Sequence, residues 1–404
     1  MATTEGAAAV AVTPHAAVGA ARAAAVGWPW RQGNRFELLT DSDRIFRRML
    51  EAIAGARESV LLEMYLVDSG TVARRFIDAL AGCARRGVRV HVLFDAFGSL
   101  GLRAADRRRL AASGARLTFF NPLSWRKRLQ NCLRDHRKLL VVDGALAFVG
   151  GVGLADEFID GKRGRRAWRD LMLEISGPVV SDWQTAFARN WSRSGGSPAV
   201  PEAMPRPADE PSSVGARGRL ALSEAGHRSV LANDVVRRIN GALQRAWVMS
   251  AYFVPSRRFR KALRRAARRG VDVRLLVPGP KTDHPWVRHA ARRFYGKLLR
   301  NGVRIFEYQP RVLHGKMALC DDWLSVGSSN LDRWSFRWNL EANQEIEDAA
   351  LAAEAAAIFA ADCGESQELD RRHWRRRAVL DRLRESIAGA LDRNLDRWRR
   401  PGDR

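Results

Sequence analysis

His136-Arg-Lys138-Leu-Leu-Val-Val-Asp143 and His314-Gly-Lys316-Met-Ala-Leu-Cys-Asp321 repeat one arrangement, His-x-Lys followed by four residues and Asp. Side chains two apart on a strand share a face, so each copy sends one imidazole and one ammonium into the same space. An imidazole can act as nucleophile or exchange a proton near neutral pH, and a fixed ammonium can hold an anion. Two such pairs suit a phosphodiester, because the charge developing on its equatorial oxygens needs cations and neutral donors around it. A lone His-x-Lys is usually a surface strand pair. Its recurrence at equivalent places of a repeat reverses that reading.

Small residues follow each copy, Gly150-Gly151 in one and Gly327-Ser328-Ser329-Asn330 in the other. Gly151 is expected to let a phosphate approach the backbone, with Ser328 and Asn330 as neutral donors. Such a site needs no metal and no organic cofactor. Carboxylates must fix the imidazole tautomers; Asp170 and Glu341, each downstream of a motif, are the candidates, with ordinary ion pairing as the alternative in so basic a chain. Asp143 and Asp321 complete the motifs and are expected to brace the motif loops. Tyr65 and Tyr252, at matching places in the repeat, are expected to pack near the site.

The elements that position these residues also come twice. Each half begins with a helical stretch, Asp43 to Ala56 or Asn233 to Arg245, and enters a strand-like run, Ser59 to Val67 or Ala246 to Val254. A basic helix then ends in Ala84-Arg-Arg-Gly87-Val or Ala267-Arg-Arg-Gly270-Val, where glycine stops the helix and β-branched residues start a strand. A further helix and strand precede each motif. The alternation predicts an α/β protein of two similar domains, each a mixed β-sheet flanked by helices, one sheet per half, related by a pseudo-twofold. The boundaries read as a flexible leader over 1–33, a first domain over 34–191, a Pro-, Gly- and Ser-rich linker over 192–219, a second domain over 220–347 and a basic helical region over 348–404. In that last region Val379, Leu380, Leu383, Ile387 and Leu391 share one face near several arginines, as expected of a helix packed on the domain or lying on anionic membrane.

The two His-Lys-Asp motifs resemble those of the phospholipase D superfamily. Val326-Gly-Ser-Ser-Asn-Leu-Asp-Arg333 and Asn339-Leu-Glu-Ala-Asn343 look like its cardiolipin synthase branch, and the resemblance covers about residues 34 to 347. It implies a double displacement through a phosphohistidine, with His136 as nucleophile and His314 as acid and base. Lys138, Lys316, Asn330 and Ser328 would hold the phosphate. The implied reaction makes cardiolipin from phosphatidylglycerol and a second lipid, phosphatidylethanolamine being one candidate. Two positions depart from the family pattern: Gly153 stands where an Asn is usual, and Gly327 comes one residue early after Asp321-Asp322-Trp323.

Composition narrows the partners. The chain has 404 residues, 46% of them hydrophobic, and a net charge of +25 from 69 Lys and Arg against 44 Asp and Glu. Such a potential attracts nucleic acid or anionic lipid. No cluster alternates basic residues with aromatics as a stacking platform, which disfavours nucleic acid. Trp125, Trp323, Trp334 and Trp338 are candidates for core or for a lipid entrance. Cys83, Cys132, Cys320 and Cys363 lack the spacing of a zinc site and read as reduced. Neither terminus offers an apolar run of spanning length, so the expectation is a peripheral enzyme on the cytoplasmic side of the inner membrane, with no obligate protein partner. Hydrolysis of lipid or nucleic acid by water, and idle lipid binding, are the rival functions.

Overall fold

The computed structural model describes residues 27–161, 164, 166–200, 215–224, 229–376 and 387. The apolar face expected around Val379 to Leu391 therefore lies, Ile387 apart, outside the described residues, as does most of the expected leader.

Among the described residues sixteen strands form one sheet. In the first half they are β1 (Arg31–Leu39), β2 (Ser59–Met64), β3 (Arg89–Asp95), β4 (Arg116–Phe120), β5 (Arg134–Asp135), β6 (Lys138–Val142), β7 (Leu146–Gly150) and β8 (Met172–Ser176). In the second they are β9 (Ala216–Ser223), β10 (Arg245–Met249), β11 (Asp272–Pro278), β12 (Arg304–Tyr308), β13 (Met317–Cys320), β14 (Trp323–Gly327), β15 (Asn339–Glu347) and β16 (Ser366–Glu368). From a central seam where β1 pairs antiparallel with β9, the order runs outward as β8-β7-β6-β2-β3-β4 on one side and β15-β14-β13-β10-β11-β12-β16 on the other. The same order read in opposite directions is the pseudo-twofold. The expectation of one sheet per half is corrected by this seam, which removes two edges that would otherwise be open to aggregation. β9 begins inside the segment read as linker and β1 inside the segment read as leader.

Strands β2, β3 and β4 are parallel, as are β10, β11 and β12. β2, β3 and β10 are buried almost throughout on both faces, which is why they read as near-continuous apolar runs. Val60 and Leu62 enter a core beneath the helices Ser42–Gly55 and Thr71–Arg85, while Leu61 and Leu93 enter a second core on the other face. That second core is shared between the halves. It holds Trp183 and Phe187 from the helix Val179–Arg193, Phe359 from the helix Ala349–Gly364, and Trp247 and Leu319 from the second half. Burying it ties the halves together with aromatic side chains that each remove a large apolar area from water.

Candidate active site

Asp143 and Asp321 have the same local job in the two halves. Each sits at positive φ, 52° and 51°, in the tight turn that closes its motif. Asp143 accepts the amides of Arg57, Glu58 and Ser59 at 2.8–2.9 Å, and Asp321 those of Leu243, Gln244 and Arg245 at 2.9–3.0 Å. A carboxylate taking three amides satisfies donors at the start of β2 or β10 and fixes the register of the motif strand. This is the far end of β6 and β13 from the histidines. The two aspartates thus stand apart from the histidines of their own motifs and brace the motif turns.

At the near end, Lys138 faces Met64 and Met317 faces Met249, so both motifs open at the C-terminal ends of the parallel strands. His136, Lys138, His314 and Lys316 are all buried there. Each motif is pinned to the opposite half by backbone. β5, just before His136, pairs in parallel with Asn339 and Leu340 of β15, and the His136 amide donates to Leu340 O at 3.0 Å. In the mirror arrangement Leu313 bridges to Arg169, whose carbonyl accepts the amides of His314 and Gly315 at 2.7 and 3.0 Å. The residues after Leu340 and Arg169 are Glu341 and Asp170.

The orienting carboxylates are therefore crossed. Glu341 Oε1 of the second half lies 3.3 Å from Nδ1 of His136, and Asp170 Oδ2 of the first half lies 2.5 Å from Nδ1 of His314. With Nδ1 held by a carboxylate, Nε2 is the remaining nitrogen on each ring, and on His314 it lies 3.0 Å from Lys316 Nζ. Asp170 is further fixed by the Leu171 amide at 2.7 Å, and Glu341 by the Ser328 hydroxyl at 2.5 Å and the Asn339 amide group at 3.2 Å.

Electrostatics in this enclosed space favour neutral rings. Burial first, and then Lys138, push the His136 pKa down against the pull of Glu341. Burial and Lys316 lower His314 to about 4 against the pull of Asp170. Lys138 is itself lowered to about 7 by burial and by Lys316, and burial lowers Lys316. Burial works to raise Glu341, but His136, Lys138 and Ser328 outweigh it and keep it below the usual carboxylate range. Two ammonium groups held within mutual influence in low dielectric form a site that gains most by taking up an anion.

Gly151 lies where a phosphate contact was expected, but its open side serves the protein. A Cβ there would stand 2.2 Å from Asp170 Oδ1, so glycine makes room for the carboxylate that holds His314. Ser328 spends its hydroxyl on Glu341. Asn330 is buried and accepts the Tyr252 amide at 3.3 Å through Oδ1, which leaves its NH2 as a donor. At Gly153, a Cβ would come within 2.9 Å of Leu66 O and 3.0 Å of Leu66 Cβ, so a longer side chain has no space.

Aromatic walls differ between the histidines. The Tyr65 ring is 4.4 Å from that of His136, with Lys138 Nζ 5.1 Å from the same ring. Trp168 and Phe158 stand 5.2 and 5.7 Å from His314, and Tyr252 stands 6.4 Å away with its hydroxyl donating to Asp283. The two tyrosines are one residue out of step. Ser59 pairs with Arg89 and Arg245 with Asp272, so Tyr65 corresponds to Ala251 and Tyr252 falls one place later. Trp323 and Trp338 are buried, whereas Trp125 is exposed. Trp168, Phe158, Asp283 and the clamp at Arg169 were not picked out from sequence; their only signal there is proximity to Asp170 or to the end of β11.

A family profile described as "Cardiolipin synthase, PLD-like domain" matches residues 49–191 and 235–363. The chain belongs to this cardiolipin synthase family. Its members include cardiolipin synthase A of Pseudomonas aeruginosa, 37% identical over 354 residues that cover 86% of this chain and 71% of the relative. Cardiolipin synthase B of Escherichia coli is 34% identical over 366 residues, covering 85% of this chain and 86% of the relative. Among solved structures, phosphatidylserine synthase of Haemophilus influenzae superposes with a TM-score of 0.69 at 12% identity, over 95% of this chain and 97% of the other. Polyphosphate kinase of Porphyromonas gingivalis does so at 0.55 and 16%, over 85% of this chain and 49% of the other. These two likenesses concern the fold. The family member described here is an enzyme of the phospholipase D superfamily.

Proposed function

We propose that the chain transfers a phosphatidyl group between phospholipids, making cardiolipin from phosphatidylglycerol and a second phospholipid. The observation that carries this reading is the meeting of two His-Lys pairs in one buried space, each imidazole held at Nδ1 by a carboxylate of the opposite half.

In the first displacement His136 Nε2 attacks phosphorus and the bond from phosphorus to the departing alcohol oxygen breaks. His314 donates its Nε2 proton to that oxygen. In the second, the hydroxyl of the incoming lipid gives its proton to His314 and attacks phosphorus, and the bond to His136 breaks. One phosphodiester replaces another, so no energy source is required. The lowered pKa of His136 keeps it neutral as a nucleophile must be. His314 has to enter the first step protonated. A bound phosphodiester anion offsets the two ammonium groups that disfavour its charge, and Asp170 at 2.5 Å stabilises the imidazolium. Lys138, Lys316 and Asn330 are the residues we assign to the phosphate oxygens, with Gly151 and Ser328 assigned to the carboxylates that orient the histidines.

The net charge of +25 suits anionic headgroups, and free cysteines suit a reducing compartment. Both support attachment to the cytoplasmic surface of the inner membrane. Among the described residues no helix is long and apolar enough to cross a membrane.

The test is to follow lipid products by mass spectrometry after incubating the purified protein in chelator with phosphatidylglycerol vesicles, with and without phosphatidylethanolamine. Cardiolipin from the wild type, reduced about 10⁴-fold or more in both His136→Ala and His314→Ala, is expected. Phosphatidic acid as the sole product would make the enzyme a hydrolase. No lipid turnover would direct the same three proteins to DNA and RNA.

A further inference from the structure

Seven large apolar side chains are exposed among the described residues: Phe97, Leu100, Leu123, Trp125, Leu243, Trp286 and Ile387. Four of them lie at one edge of the first half, beyond the C-terminal ends of its parallel strands, and Trp286 lies beyond the corresponding end in the second half. Phe97 and Leu100 are in the loop after β3, Leu123 and Trp125 in the segment after β4, and Trp286 at the start of the helix Pro285–Arg292 after β11. In each half the motif opens at these strand ends. Leu243 lies before the N-terminal end of β10, at the far end of the second motif, where its amide binds Asp321.

These tips are joined to the site itself. Val67, two residues after Tyr65, donates to Gly98 O at 3.1 Å, and a Cβ on Gly98 would stand 2.2 Å from Tyr65 O, so the loop bearing Phe97 and Leu100 rests on the segment whose ring covers His136. Trp286 follows Asp283, the acceptor for Tyr252, by three residues. Exposure is far beyond what scattered surface residues need: Trp125 is 84%, Trp286 63% and Leu100 60% exposed.

The charge on the same edge selects a partner. Residues 121–133, which carry Leu123 and Trp125, include Arg126, Lys127 and Arg128 and no acidic residue. The Arg126 guanidinium carbon is 5.3 Å from the Trp125 ring, so cation and ring are presented together. Tryptophan beside arginine, with leucine and phenylalanine close by, is the chemistry of the boundary between anionic headgroups and acyl chains. We propose that this edge docks on an anionic bilayer, with Phe97, Leu100, Leu123 and Trp125 entering the headgroup region and bringing the buried histidines over the lipid surface. The proposal rests on the phospholipid reading of the site and adds which face meets the membrane.

The experiment compares wild type, Leu100→Ala/Trp125→Ala and Leu243→Ala in two assays. One is co-sedimentation with phosphatidylglycerol vesicles; the other is turnover of a short-chain phosphatidylglycerol kept monodisperse. Removing two inserted side chains is expected to weaken vesicle binding by about tenfold or more, since 1.4 kcal/mol is a factor of ten. Monodisperse turnover should stay near wild type, and Leu243→Ala should bind as wild type does. Equal binding by all three proteins would overturn the docking face, as would equal loss in the Leu243 variant or binding to vesicles no tighter than to an acidic protein. Failure of the wild type to turn over the monodisperse lipid would count against the enzymatic reading alone, and the sedimentation result would still decide the face.

Discussion

Opposite His314 in the assembled site stands Asp170, with Gly151 beside it; opposite His136 stands Glu341, with Ser328 beside it. The two pairs occupy equivalent places, at the end of β7 and before β8 in the first half, and at the end of β14 and within β15 in the second. The shorter acid comes with the residue that has no side chain, and makes the closer contact. The longer acid bends to meet a hydroxyl and stands 3.3 Å from its histidine instead of 2.5 Å. A duplicated frame has thus been loaded unequally, and an exchange in which one histidine attacks while the other moves protons needs inequality. In the proposed exchange the tight Asp170 contact would stabilise an imidazolium at His314, and the looser, serine-shared Glu341 would leave His136 as the neutral nucleophile.

Swapping charge for amide should expose the difference most strongly. Asp170→Asn is expected to lower kcat by about 10³-fold, because His314 would lose both its tautomer and the stabilisation of its charge. Glu341→Gln should cost about 10²-fold, with KM changing little in either. Equal losses would mean that the two histidines carry equivalent roles.

A smaller effect is expected from copying one half into the other. In Gly151→Ser the new Cβ would meet Asp170 Oδ1 at 2.2 Å, displacing the carboxylate and lowering turnover by about tenfold to a hundredfold. Adding Asp170→Glu would recreate the Ser328 and Glu341 pairing and should restore part of the rate. A double variant worse than the product of the singles would show that glycine does more there than make room.

The smallest contrast should come from the motif aspartates, where the halves are alike. Asp143→Ala and Asp321→Ala each leave three amides without their acceptor and are expected to destabilise the fold by about 1–3 kcal/mol. Denaturant titration should return similar values for both, with turnover of the remaining folded protein close to wild type. A selective loss of turnover in one of them would return that aspartate to the chemistry.

Much of this arrangement was legible in the sequence, for reasons that particular residues make clear. The two His-x-Lys steps declare their shared face through the period of a strand, and Gly87 and Gly270 mark equivalent helix ends, at φ of 89° and 91°. Asp170 and Glu341 could be named as orienting acids, but the histidine that each serves depends on β5 pairing with β15 and on Arg169 bridging to Leu313, contacts between residues far apart in the chain. The seam was hidden similarly. β9 follows a Pro-, Gly- and Ser-rich stretch and looks like its continuation, although seven of its residues, Arg217 to Ser223, pair with β15. Gly151 invites a phosphate in sequence and is occupied by Asp170 in space. Tyr65 and Tyr252 align as letters, and strand register separates them by one residue.

The crossed pairing is the centre of this account, and nitrogen-15 spectra of histidine-labelled protein test it most directly. With resonances assigned from His136→Gln and His314→Gln, Asp170→Asn should change the tautomer and Nδ1 shift of His314 while leaving His136 near its wild-type values, and Glu341→Gln should do the reverse. If each substitution instead altered the histidine of its own half, the carboxylates would not cross between the halves and the shared site described here would be wrong.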